Sequence, residues 1–222
     1  MESLGFAELL CRCHQALDSS PVAEIPLGWR IRLWHRMNHE FPESSLRRRS
    51  ILAIALSSRT LRNWDNAAIG IDPEFKPLPH QLLRNCKRLV NGEINECEAR
   101  QYDIHLVEAA MGLYESIGNL AWVPLSAFAA IQCASGYEEA LCAEHYYPTV
   151  WTDGFVESAR DDDDDWEVLD THFWCACIAG GYPGLAGFDR DRRLEFWRDW
   201  LDSAVPSVLC DIDRANKLLE AC

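Results

Sequence analysis

Apolar residues recur at three- and four-residue spacings along nearly the whole chain, which predicts one amphipathic helix after another. Leu82, Leu83, Cys86, Leu89 and Val90 form one stripe, closed by Asn91-Gly92 as a left-handed cap. Tyr102, Leu106, Ala109, Leu113 and Ile117 form a second, closed by Gly118-Asn119. Trp166, Leu169, Phe173, Trp174, Cys177 and Ile178 form a third, stopped by Gly180-Gly181. In the last, Leu194, Trp197, Trp200, Leu201, Ala204 and Val205 share a face; Asp189 or Asp191 supplies the cap, and Pro206 is expected to stop the helix. Two tryptophans one turn apart bury a large area, so this helix is read as core.

One stretch breaks the amphipathic rule. Ile51 to Leu56 is apolar all round, which places residues 45–64 at the centre of a bundle. Alternation of strand type is missing, apart from a doubtful Tyr146 to Trp151. The expected fold is all-α: a single domain over 1–222, built as a multi-helix bundle or as stacked helical pairs. About nine helices are predicted, at 3–18, 28–39, 45–64, 79–91, 97–118, 124–135, 165–179, 190–205 and 210–221. Residues 136–165 contain Gly136, Pro148, Gly154 and a run of aspartates, and read as a long irregular acidic connection.

Charge divides the chain. Residues 1–100 carry 14 Lys and Arg against 12 Asp and Glu, whereas residues 101–222 carry 7 against 23. The net of −14 therefore sits in the second part. A surface this acidic argues against a nucleic-acid partner, which needs clustered cations, and suits a basic one. No run of eighteen apolar residues is evident, so no membrane span is expected. Met1 to Phe6 shows no basic stretch leading into an apolar one, so a signal peptide is not expected and a cytoplasmic location is. The ten cysteines are scattered through helical patterns, and are expected as reduced, mostly buried thiols.

Candidate chemistry was sought in each polar cluster. His35 and His39 lie one turn apart, but the residue after the first is Arg36, where the protease motif has its glutamate. Cys11-Arg12-Cys13-His14 and Cys175-Ala176-Cys177 resemble halves of a zinc site, yet residues two apart on a helix diverge. Asp170-Thr171-His172 could belong to a triad, but no nucleophile elbow accompanies it. Gly180 to Gly184 lacks the lysine of a phosphate loop. No active site, cofactor site or metal site is therefore expected. Arg47-Arg48-Arg49, with Arg30, Arg32, Arg36, Arg59 and Arg62, makes the basic region, expected to face Glu43 or the acidic part of the chain. Asp161, Asp162, Asp163, Asp164 and Asp165 lack the ligand spacing of a calcium loop; they form either a solvated loop or a landing strip for a basic partner.

Three blocks carry a resemblance to a known family. They are Asp189 to Pro206 with Arg192-Arg193-Leu194-Glu195-Phe196-Trp197, then Trp166 to Gly181 with Phe173-Trp174 and Ala179-Gly180-Gly181, and, more weakly, Arg47 to Trp64 followed by Pro77 to Gly92. In this order they resemble the Imm5 family of bacterial immunity proteins, which accompany toxins of polymorphic toxin systems. The resemblance implies an all-α cytoplasmic protein that neutralises one cognate toxin, with neither catalysis nor cofactor. Joined to the charge pattern, it makes Glu138, Glu139, Glu144, Asp153, Glu157 and Asp161 to Asp165 the candidate partner-binding residues, facing a basic toxin of nuclease type. Trp151, Phe155 and Trp166 are candidate anchors beside them, with burial in the core the expected fate of Trp166. Two other readings are a helical adaptor for a host protein or peptide, and a metal-binding protein using the Cys and His groups.

Overall fold

The computed structural model describes residues 4–66, 71, 73–102, 104–136 and 170–221. Helices α1 (Phe6–Ser19), α2 (Leu27–Glu40), α3 (Ser45–Asn66) and α4 (Leu78–Val90) come first. The short α5 (Glu96–Ala99), α6 (Ile104–Met111) and α7 (Tyr114–Ile117) lead through a 3-10 turn (Gly118–Trp122) into α8 (Val123–Ala134). After residue 169 come α9 (Thr171–Gly180), α10 (Arg190–Asp199), a π turn (Trp200–Ala204), α11 (Val205–Cys210) and α12 (Ile212–Ala221). Among the described residues there is no strand, and the fold is all-α as expected. The doubtful strand Tyr146 to Trp151 lies outside the described residues.

Two helices form the centre. α3 buries every residue from Ser50 to Ser57, as its lack of a polar face predicts. α8 is buried at every position and packs against α3, α4 and α9. Small residues let the two central helices approach, and where they cross, the Ser57 and Ser126 hydroxyls meet at 2.7 Å. That pairing satisfies two polar groups that burial would otherwise leave costly. Tyr114 to Ala134, at 21 residues, is long and apolar enough to cross a membrane by length and composition, contrary to the expectation that no such stretch exists. Most of it is buried inside the fold, and a 3-10 turn interrupts it, so its apolarity is that of a core helix.

The structure corrects three boundaries. The stripe from Tyr102 to Ile117 does not form one helix. Asn95 and Glu98 close a capping box that starts α5, and the chain then breaks so that the Tyr102 hydroxyl accepts from Gln132 Nε2 at 2.7 Å. Beyond the break Val107 and Ala110 face the core while Ala109 is exposed. Tyr102, Leu113 and Ile117 of the stripe still pack against the core, so the break changes the buried positions within α6 alone. α9 begins at Thr171, where Asp170 caps it, its side chain accepting from the His172 and Phe173 amides; residues 165–169 of the expected helix, with Trp166 and Leu169, lie outside the described residues.

Pro206, thirdly, does not end its helix. The π turn before it bonds the Val205 amide to the Trp200 carbonyl, five residues back, and this wider turn lets Pro206 sit in the first turn of α11 where no amide is needed. Trp197 and Trp200 are fully buried, as their spacing predicts. Gly92 takes φ +72° and closes α4, as its Asn-Gly dipeptide predicts.

α9 and α10 touch through glycine. A Cβ at Gly180 would lie 2.6 Å from the Arg193 amide and from the Asp189 carbonyl, both backbone atoms. Gly180→Ala is expected to cost about 3 kcal/mol, the range of overpacking against rigid neighbours. Urea unfolding checks this: the midpoint should fall while the slope stays unchanged.

Candidate functional site

The residues singled out as partner-binding, Glu138, Glu139, Glu144, Asp153, Glu157 and Asp161 to Asp165, lie outside the described residues, as do Trp151 and Phe155. What the structure does describe is where the chain leaves and returns. It leaves at Gly136, whose φ of +68° turns the backbone off the end of α8 beside Leu46. It returns at Asp170, and the next residue, Thr171, donates from its hydroxyl to the Ser126 carbonyl at 3.4 Å. Ser126 lies in the first turn of α8, and Gly136 lies just beyond its last residue, Ala134. Gly136 and Thr171 thus flank opposite ends of α8.

Asp170 is fixed from both sides. One carboxylate oxygen accepts the His172 amide at 2.8 Å and the Phe173 amide at 3.2 Å, capping α9. The other accepts from the Arg30 guanidinium, itself fully buried. Arg30 also donates through Nε to the Ile25 carbonyl at 3.1 Å and stands 3.8 Å from Glu24. Glu24 accepts in turn from Arg193, which donates as well to the Gly181 carbonyl at 2.9 Å. Four buried charges in series thereby tie α2, α9 and α10 together. Such pairs tolerate burial only when hydrogen bonds saturate them, as most are here.

Aromatic rings pack around this chain of charges. Arg30 lies over the Trp197 ring at 5.3 Å, and Arg193 over Phe173 at 5.3 Å. His172 is wedged between Trp34 and Trp200, and its Nδ1 accepts the Trp200 indole N–H at 3.1 Å. Burial, opposed by Asp170 and reinforced by Arg30 and Arg49, pushes the imidazole down to about 4. The ring is neutral, buried and held by the Trp200 indole at Nδ1. Asp170 and His172 are architectural.

The other candidate clusters resolve in the same direction. Cys11 is exposed and Cys13 buried, so the two diverge as helix geometry requires. Burial pushes the Cys13 thiol up to about 12, and it raises Cys86 and Cys175 as well. The eight described cysteines are free thiols. Among the described residues no three His, Cys, Asp or Glu side chains converge on a point where a metal could sit.

The arginine cluster was expected to form a counter-surface to the acidic part of the chain, and for two of its members the structure shows another use. Arg47 donates to the Val90 carbonyl at the end of α4 and to Asn216 at 3.0 Å. Arg48 donates to the Val208 carbonyl near the end of α11 and lies 4.3 Å over Phe41. These guanidiniums satisfy helix-end carbonyls that have no partner within their own helices.

The four-charge chain itself was not legible in the sequence. Its partners stand 140 and 169 residues apart, and no local spacing links them. Its one local trace is the aspartate capping α9.

An unfolded histidine titrates near 6.5, while His172 stays neutral in the fold down to about 4. Protonation therefore favours the unfolded chain across that interval. The contribution is complete above pH 6.5 and drains away, by about 3 kcal/mol, as the pH falls to 4. His172→Asn keeps an acceptor for Trp200 and lacks the proton. Urea unfolding at several pH values should show a shallower acid loss in the variant, and equal slopes would refute the assignment.

The family described as Immunity protein Imm5 matches residues 11–207, which takes in the N-terminal helices as well as the tryptophan blocks. No curated protein matches the chain.

Proposed function

The chain belongs to the Imm5 family of immunity proteins, non-enzymatic binders of toxins, and from that membership we propose that it neutralises one cognate toxin in the cytoplasm by steric occlusion. The contact runs through the acidic segment, with Glu138, Glu139, Glu144, Asp153, Glu157 and Asp161 to Asp165 on the binding surface. The toxin presents a basic face. A nuclease domain, which must gather cations to hold a polyphosphate, is the class that suits it best.

The observation that carries this reading is the charge division. Residues 101–222 hold 23 acidic side chains against 7 basic ones, and ten of the acidic ones are the candidates just named. Clustered like charge destabilises a compact surface, and an oppositely charged partner relieves that repulsion while accelerating encounter. Both ends of the segment rest on the central helices, α8 on one side and the capped α9 on the other.

Co-expression with the C-terminal domain of the toxin encoded beside this gene should rescue growth and yield a stable one-to-one complex on pull-down. Failure of both would leave a helical adaptor that shares the family's fold. Replacing Asp161 to Asp165 with asparagine should then slow association roughly tenfold at low salt and flatten its salt dependence, with dissociation little changed. An association rate equal to wild type would show that the aspartates are only solvated.

A further inference from the structure

α2 presents two imidazoles on its outer side. His35 and His39 are one turn apart and both exposed, whereas Leu33, Trp34 and Met37 of the same helix are buried in the core. Positions four apart on a helix share a face, with Cβ atoms about 6 Å from each other. The protease motif adds a glutamate at the position Arg36 holds here. That glutamate is a base for catalysis, and holding a cation does not require it. Among the described residues no group of three or more metal-ligating side chains forms, so a cation on this face would have two protein ligands.

The surroundings suit one. The helix is held from beneath: Trp34 packs at 5.2 Å on His172 and at 5.8 Å on Trp200, and the Phe41 amide closes the last turn on the Met37 carbonyl at 2.8 Å. The two rings therefore start from a fixed spacing, and little freedom is lost when both bind one ion. The neighbouring arginines have their charges engaged. Arg36 pairs with Glu40, one turn on, and Arg32 lies 5.0 Å over the Trp29 ring. Burial of part of the ring, reinforced by the nearby His39, holds His35 below its ordinary value, so its imidazole is neutral at pH 7 with a lone pair to give. The net charge of −14 draws a cation to the surface in preference to an anion.

We propose that His35 and His39 chelate one late first-row divalent cation, with water in its remaining positions. Metal–imidazole bonds are about 2.0 Å, so one ion needs nitrogens about 3 Å apart, which rings on Cβ atoms about 6 Å apart reach by turning toward each other. A metal takes one nitrogen from each ring and leaves the other for a second partner. Imidazole without carboxylate selects copper, nickel and zinc over magnesium and calcium. Two ligands fall short of the four of a structural zinc site and the three of a catalytic one, so the ion is exchangeable and its effect is to clip one turn of α2. The site stands apart from the toxin-binding reading and does not need it.

The test is calorimetric titration of Ni²⁺ into the full chain carrying no affinity tag. Nickel is the probe because Cu²⁺ would oxidise the exposed thiols of Cys11, Cys97 and Cys210. Wild type should show one Ni²⁺ site that the His35→Ala/His39→Ala double variant lacks. Each single variant should bind roughly a hundredfold more weakly, the loss expected when one of two linked contacts is removed. Ni²⁺ should raise the melting temperature of wild type and of neither single variant, because only the folded helix aligns the rings. Mg²⁺ should do neither. Without metal all variants should melt within about 2 °C of wild type, since both side chains are exposed. Equal nickel binding in wild type and the double variant, or no one-to-one site in wild type, would overturn the proposal. Wild-type affinity in either single variant would overturn the chelate as well.

Discussion

Asp170 is where the fold closes. Its carboxylate caps α9 with one oxygen and holds the buried Arg30 with the other, and Arg30 leads through Glu24 to Arg193 on α10. An alternative packing of α2, α9 and α10 would leave at least one of these charges buried and unpaired, at a cost of several kcal/mol. Apolar contacts would tolerate sliding between helices. A chain of specific charge pairs does not, and it sets the register between the beginning of the chain and its end. The tryptophans follow this register: Trp197 lies against Arg30, and Trp200 donates to His172, two residues from Asp170.

The same arrangement accounts for why residue types usual in active sites are inert here. His172, Cys13, Cys86 and Cys175 are buried, with their titrations moved away from neutrality, and Arg47 and Arg48 complete helix ends. Reactive chemistry needs groups that are poised and reachable. In a family of non-enzymatic toxin binders, these side chains belong to the packed scaffold.

Binding through a rigid scaffold divides the work between long-range and short-range forces. Charge acts across roughly a Debye length, about 8 Å at physiological salt, and mainly alters encounter. Apolar contact acts only on touching and mainly alters residence. On the reading proposed above, the acidic residues between Gly136 and Asp170 act through the first. The chain re-enters the described fold at Asp170, the cap of α9.

Much of the fold was legible in the residues themselves. The apolar run Ile51 to Leu56 announced a central helix, Trp197 and Trp200 announced a core face, and Asn91-Gly92 announced its turn, because each depends on spacing or on backbone freedom within a few residues. The acidic character of the candidate surface was legible too, since charge is counted without coordinates. What lay beyond reach were outcomes of competition between distant groups. Tyr102 breaks its stripe to meet Gln132, the turn at Trp200 widens and lets a helix continue through Pro206, and Arg30 finds Asp170 across 140 residues. Local propensity cannot foresee such choices, because the deciding partner exists only after the chain has folded back on itself. The sequence by itself determined that the protein is helical, acidic and built on a central helix with an apolar run, Ile51 to Leu56. Which buried charges lock its ends together only the packed structure could decide.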